Sequence, residues 1–154
     1  VKKVIFVCSS GGHLSEMLKL KKLFNEYDYL LVTEKTEITE NLSDNYNMEF
    51  FKYGPNKNKI KYIGAVIYNM FKSISILIKF KPKTVLTTGA QVGGIMSFFA
   101  KLFGKKVIYI ESLAKVNSLS VTGKMVYPFA NKFYVQWPDL AKKYKKAEYL
   151  GRLM

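Results

Sequence analysis

Cysteine, histidine and tryptophan occur once each in these 154 residues, proline four times, and acids eleven times against twenty-five Lys and Arg. The lone cysteine, Cys8, excludes an internal disulfide. Its place in the apolar run VIFVC marks it as a small buried core residue rather than a reactive thiol. No cluster of His, Cys and carboxylates has metal-ligand spacing, so no metal site is expected. A secretory signal is also missing: residues 4–8 are too short for one and run straight into glycines. The expectation is a protein kept on the cytoplasmic side. Scarce acids leave a formal net charge of +14, almost all of it lysine. Such a field attracts nucleic acid, acidic lipid or phosphorylated substrates alike.

What is present is a substantial core. Hydrophobic residues make up 49%, with 11 Tyr and 11 Phe, which excludes disorder and fits one domain over residues 1–154. Short β-branched runs predict strands at 4–8, 29–33, 48–53, 84–88, 107–111, 132–136 and 147–150. Helical spacing predicts helices at 14–25, 60–80, from about 94 to 103, 120–130 and 139–146, with a loop and short helix within 34–49. Strands alternating with helices indicate βαβ units: an α/β, Rossmann-like parallel sheet with helices on both faces.

Two glycine-rich turns follow predicted strands. The first is Ser9-Ser10-Gly11-Gly12-His13; the second spans residues 88–94 and contains Gly89, Gly93 and Gly94. In open α/β sheets ligands bind at the carboxyl ends of strands, where backbone amides face outward. Neither turn is a Walker A loop, and neither fits the dinucleotide GxGxxG register. Together they point to an anion the size of a diphosphate. His13 stands at the mouth of the first turn, either as a proton acceptor or as a turn residue capping the helix.

Residues 60–80 form a helix about 30 Å long at 1.5 Å per residue. Lys61, Tyr68, Lys72, Ser75 and Lys79 share one narrow face; Ile63, Val66, Ile67, Met70, Ile74, Leu77 and Ile78 cover the broad opposite side. Three lysines argue against a membrane span, at about 2.5–3.5 kcal/mol each at the bilayer centre. Two readings stay open: a sheet-covering helix with a solvated lysine edge, or a partly exposed helix in the membrane interface with Lys61, Lys72 and Lys79 toward lipid headgroups. Lys142, Lys143, Lys145 and Lys146 form a second basic cluster.

Along residues 107–138 the runs Glu111-Ser112, Ser118-Leu119-Ser120, Thr122-Gly123-Lys124 and Val135-Gln136-Trp137-Pro138 stand in order. With Ser10-Gly11-Gly12-His13-Leu14, Thr88-Gly89 and Tyr149-Leu150-Gly151, this chain resembles one family throughout its length. That family is the membrane-anchoring subunit of the two-chain UDP-N-acetylglucosamine transferase of dolichol-linked oligosaccharide synthesis. Its bacterial counterparts are the PssD/CpsF-type proteins of capsule and exopolysaccharide synthesis. The resemblance implies the N-terminal, acceptor-binding half of a GT-B glycosyltransferase, similar to the MurG type. The UDP-sugar is then bound mainly by a partner subunit on a separate chain, and no cofactor belongs to this one. The eukaryotic relatives resemble this chain after a transmembrane helix, so peripheral contact with the cytoplasmic face of the cell membrane is expected here.

The implied reaction moves a sugar from UDP to a polyprenyl-diphosphate-linked saccharide. Ser10, Gly11, Gly12, Gly89, Gly93 and Gly94 are the candidates for holding the acceptor diphosphate. Two residues compete as general base. His13 is one; Glu111, a carboxylate ending a buried strand, is the other, with capping of the following loop as its alternative reading. Ser112, Lys115, Ser118, Ser120 and Thr122 are expected to line the cleft between the subunits, and Gln136-Trp137-Pro138 to support the subunit interface. Two rivals remain open. One is a stand-alone nucleotide-binding or flavodoxin-like protein. The other is a basic nucleic-acid-binding domain, against which stand aromatics confined to core strands and the lack of RNP or helix-turn-helix patterns.

Overall fold

A computed structural model describes residues 1–153. Its strands are β1 (Lys3–Cys8), β2 (Asp28–Glu34), β3 (Met48–Phe51), β4 (Thr84–Gly89), β5 (Lys106–Ile110), β6 (Lys132–Tyr134) and β7 (Ala147–Glu148). Between them lie α1 (Gly12–Leu18), α2 (Glu37–Glu40), α3 (Lys59–Phe80), α4 (Ala90–Leu102), α5 (Val121–Val126) and α6 (Pro138–Lys143). All seven strands are parallel, in the order β3-β2-β1-β4-β5-β6-β7. The order reverses between β1 and β4, the place where doubly wound sheets open a crevice for ligands.

Alternation along the strands sorts the core into two layers. Ile5, Val7, Val32, Val85, Val107, Tyr109 and Phe133 face the side covered by α3 to α6. Phe6, Cys8, Leu31, Leu86 and Ile110 face the side covered by α1. A fully buried side chain such as Phe6 or Leu31 contributes about 2–3 kcal/mol. Cys8 lies in that second layer, and burial pushes its thiol up to about 12.

Several expected boundaries move. The helix expected over 14–25 ends at Leu18, and a tight 3-10 turn at Lys21–Asn25 carries Phe24 into the core. The helix expected over 120–130 is only Val121–Val126. The turn expected over 89–94 is corrected as well: α4 starts at Ala90, so Gly93 and Gly94 are helical.

Of the two readings left open for the long helix, the exposure of α3 fits the partly exposed one. Much of its broad apolar side is turned outward: Ile63, Ile67, Met70 and Ile78 are exposed, along with Ile60 and Phe71. Leu77 of that side is buried, together with Ala65, Asn69, Ser73 and Ile76. Asn69 turns inward because it completes the edge beyond β3, accepting from the Lys52 amide at 2.8 Å and donating to the Lys52 carbonyl at 3.0 Å. Ser73 returns its hydroxyl to the Asn69 carbonyl at 2.7 Å. Asn69 thus satisfies the backbone just beyond β3, the small Ser73 lets α3 sit close, and most of the apolar stripe is left outside.

Candidate active site

The ends of β1 and β4 are neighbours, with Cys8 paired to Gly89 across a register shift. The first bend is open. Gly11 has φ 81°, and a Cβ built on Gly11 or Gly12 would meet nothing within 4 Å. Ser10 is already engaged, because its amide and hydroxyl both donate to Glu34 Oε2 at 3.2 and 3.1 Å.

The second bend is closed by the protein itself. Gly89 has φ 108°, and a Cβ there would lie 2.8 Å from the Tyr109 hydroxyl and 3.4 Å from His13 Cε1. Its amide donates to Thr87 Oγ1 at 3.0 Å. Gly93 sits directly over the Thr87 side chain, and a Cβ on Gly94 would come within 2.8 Å of Thr122 Cγ2. Of the six glycine-turn residues expected to hold a diphosphate, only Gly11 and Gly12 present open backbone. Gly89, Gly93 and Gly94 are glycine for packing, and Ser10 is spent on Glu34.

His13 lies across these two bends. Its Nδ1 is 2.8 Å from the Thr88 carbonyl, while Thr88 Oγ1 donates to the His13 carbonyl at 2.8 Å. A carbonyl can only accept, so Nδ1 carries the proton and the neutral ring leaves Nε2 as an acceptor. The side chain is 30% exposed, enough for an incoming group to reach it.

Glu111 is placed differently. It is fully buried, and its Oε1 accepts from the Ser112 amide at 2.9 Å. Oε2 accepts from the Ser120 amide at 2.8 Å and the Ser120 hydroxyl at 3.0 Å. Ser120 in turn caps α5 through the Gly123 amide, and a Cβ on Gly123 would strike Glu111 Oε2. Of the two readings of Glu111, this geometry is the loop cap: the carboxylate pins both ends of the 112–120 loop and has no open side. Burial, with the Glu111 charge second, raises the pKa of the neighbouring Tyr109 phenol, whose hydroxyl lies 3.2 Å from Ser120 Oγ.

An open cleft of about 630 Å³ is lined by Gly12, His13, Glu16, Ser112, Leu113 and Ala114. Of the five residues expected to line the cleft between subunits, Ser112 also lines this one. Lys115 and Ser118 are exposed beyond it on the same loop, Ser120 belongs to the Glu111 clamp, and Thr122 packs on Gly94. A smaller hollow of about 250 Å³, among Lys21, Phe24, Tyr29 and Tyr46, involves none of the strand-end bends.

Glu16 and Glu34 went unnoticed in the sequence, and Gln136 was expected only as support for the subunit interface. Glu16 Oε1 accepts from the Leu113 amide at 2.7 Å and from Gln136 Nε2 at 3.3 Å. Gln136 also donates to the Glu111 carbonyl at 3.1 Å and accepts from the Leu153 amide at 2.8 Å. Trp137 donates to the Leu113 carbonyl at 2.7 Å, so both residues hold the cleft loop from behind. The three-residue spacing of His13 and Glu16 on one helix was the available signal.

Lys61, Lys72 and Lys79 do not join this cleft. They flank the exposed apolar stripe of α3, and Lys72 pairs with Glu49 at 2.7 Å.

A parallel sheet with its cleft at the β1/β4 reversal is the fold of one half of a GT-B-type enzyme. Acinetobacter baumannii MurG matches with a TM-score of 0.74 at 18% identity, over 90% of this chain and 43% of that one. UDP-N-acetylglucosamine 2-epimerase from Rickettsia bellii matches with a TM-score of 0.75 at 14% identity, over 99% and 45%. This chain therefore spans under half the length of either structure, and at these identities the likeness is one of fold. Sequence goes further. Residues 56–153 match the family described as oligosaccharide biosynthesis protein Alg14 like. The Schizosaccharomyces pombe UDP-N-acetylglucosamine transferase subunit alg14 is 32% identical over 97% of this chain and 82% of its own length. The Mus musculus ALG14 subunit is 32% identical over 99% and 83%, and the Homo sapiens one 29% over 98% and 82%. The chain belongs to the Alg14-like family.

Proposed function

We propose that this chain is the acceptor-binding subunit of a two-chain UDP-N-acetylglucosamine transferase of lipid-linked oligosaccharide synthesis. The observation that carries the reading is the open bend at Gly11-Gly12 beside a partly exposed imidazole that lines the cleft, its Nδ1 held by the Thr88 carbonyl. The amides of Gly11 and Gly12 receive the acceptor diphosphate, and the saccharide lies in the cleft between α1 and residues 112–114. A separate polypeptide holds the UDP-sugar above it.

In the transfer step the acceptor hydroxyl oxygen bonds to C1 of the donor sugar, and the C1–O bond to UDP breaks with its electron pair leaving on UDP. The hydroxyl proton passes to His13 Nε2 and then to solvent. A positioned base of this kind contributes about 10²–10⁴-fold. Glu111 acts by fixing the loop that forms the far wall.

The stripe of Ile60, Ile63, Ile67 and Phe71 on α3 joins Phe98 and Leu102 of α4 and Val121 and Met125 of α5 as exposed apolar surface. Flanked by Lys61 and Lys79, that face is suited to lie in the interface of an anionic membrane. It brings the cleft to a lipid-carried acceptor. Phe71→Glu is expected to cut flotation with vesicles containing a fifth anionic lipid while leaving the fold intact; unchanged flotation removes this face from the account.

Co-expression with a donor-binding partner tests the main reading. Transfer from UDP-N-acetylglucosamine to a prenyl-diphosphate saccharide is expected only from the two chains together. Turnover by this chain alone contradicts the division of labour.

A further inference from the structure

The mechanism leaves one part-buried acid of the cleft unused. Glu16 sits one turn after His13 on α1, with its side chain 12% exposed. Its Oε1 is anchored by the Leu113 amide at 2.7 Å, Gln136 Nε2 at 3.3 Å and Ser112 Oγ at 3.4 Å. Its Oε2 is buried without a hydrogen-bond partner among the described residues, and lies 4.0 Å from His13 Nδ1. Leaving a carboxylate oxygen buried and unpaired is costly, and the anchored Oε1 prevents it from swinging out to water.

We propose that Glu16 is a positioning residue for His13: its Oε2 is a second acceptor that Nδ1 takes up once Nε2 has received the substrate proton. The proposal rests on the reading of His13 as the base. In the neutral ring, Nδ1–H is satisfied by the Thr88 carbonyl at 2.8 Å. When Nε2 is protonated both nitrogens become donors and the ring carries a charge. A carboxylate then outcompetes a neutral carbonyl, because ionised partners make hydrogen bonds roughly twice as strong. Closing 4.0 Å to a charge-assisted contact needs a ring shift of about 1.2 Å. Thr88 and Gly89 face the ring from β4, while Glu16 brings the charge from the ring's own helix. The anion is in place before the reaction, held by the loop that walls the cleft, so little reorganisation accompanies proton transfer.

Glu16→Gln tests this, because the amide oxygen still accepts from the Leu113 amide while the charge is gone. In the two-chain enzyme kcat is expected to fall about tenfold or more, with KM for the lipid acceptor held within about twofold. His13 is the only histidine, so its ring ¹⁵N and ¹H signals are unambiguous. Both chains should show the Nδ1–H tautomer in the neutral ring. In the protonated ring, the native chain should show a downfield, slowly exchanging Nδ1 proton that Glu16→Gln loses. An unchanged kcat, a loss confined to KM, or a ring-proton signal indifferent to the substitution each overturns the proposal. The two readings fail separately. His13→Ala with full turnover removes the base assignment, whereas the spectra need no turnover and decide the pairing on their own.

Discussion

After β1, Gly11 and Gly12 look into open space; after β4, Gly89 is pressed against the Tyr109 hydroxyl and Gly93 against Thr87. The two bends are adjacent in the sheet and alike in composition, yet glycine stands in them for opposite reasons. In the first, a missing side chain leaves room for something outside the protein. In the second it leaves room for the protein's own side chains, including the His13 ring. The open bend leaves its backbone exposed, and the closed one holds the imidazole through the Thr88 carbonyl and the packing at Gly89.

Substitutions separate the two roles, and the closed bend should respond most in stability. Gly89→Ala combines a positive φ with a Cβ contact of 2.8 Å to Tyr109. It is expected to cost about 3 kcal/mol, seen as a melting temperature lowered by roughly 10 °C. A native melting curve would mean that the second bend is not packed as described. His13→Ala is expected to leave the melting curve nearly unchanged while lowering kcat of the two-chain enzyme about a hundredfold or more. Retention of turnover would strip the open bend of its chemistry.

Glu111→Gln places an amide among three donors. It should cost about 2 kcal/mol of stability, measured by denaturant unfolding. Its effect on kcat should stay below that of His13→Ala; the reverse order would restore Glu111 as a competing base. Gly11→Ala, with positive φ but open surroundings, should lose only about 1 kcal/mol. Weakened acceptor binding beyond that would report contact at the bend itself.

The smallest effect concerns Cys8. Its thiol, pushed up to about 12 by burial, holds almost no thiolate near neutrality. Labelling by iodoacetamide at pH 8 should await unfolding, and prompt modification would show that the strand end beneath the first bend opens.

The sheet and both bends were legible because strand runs such as VIFVC and TVLTT are short, β-branched and followed by glycine. The division of labour between the bends was not. Whether a glycine is crowded depends on Tyr109, Thr87 and Thr122, which reach it from other elements. Glu111 was recognisable as a buried acid, but its partner Ser120 lies 9 residues on, across a loop without periodicity. Glu16 is one acid on an amphipathic helix, and it gains its meaning from Leu113 and Gln136, 97 and 120 residues away. On α3, periodicity located the apolar stripe correctly, yet the rule that such a stripe faces the core was overridden where Asn69 turns inward to satisfy the Lys52 backbone and Ser73 bonds back to its own helix.

Backbone amide spectra of the ¹⁵N-labelled chain, titrated with a prenyl-diphosphate saccharide in detergent micelles, examine the asymmetry of the bends at atomic resolution. The largest shifts should fall on Gly11, Gly12 and His13, with Gly93 and Gly94 nearly still. Shifts centred on Gly93 and Gly94, or none at the first bend, would contradict it.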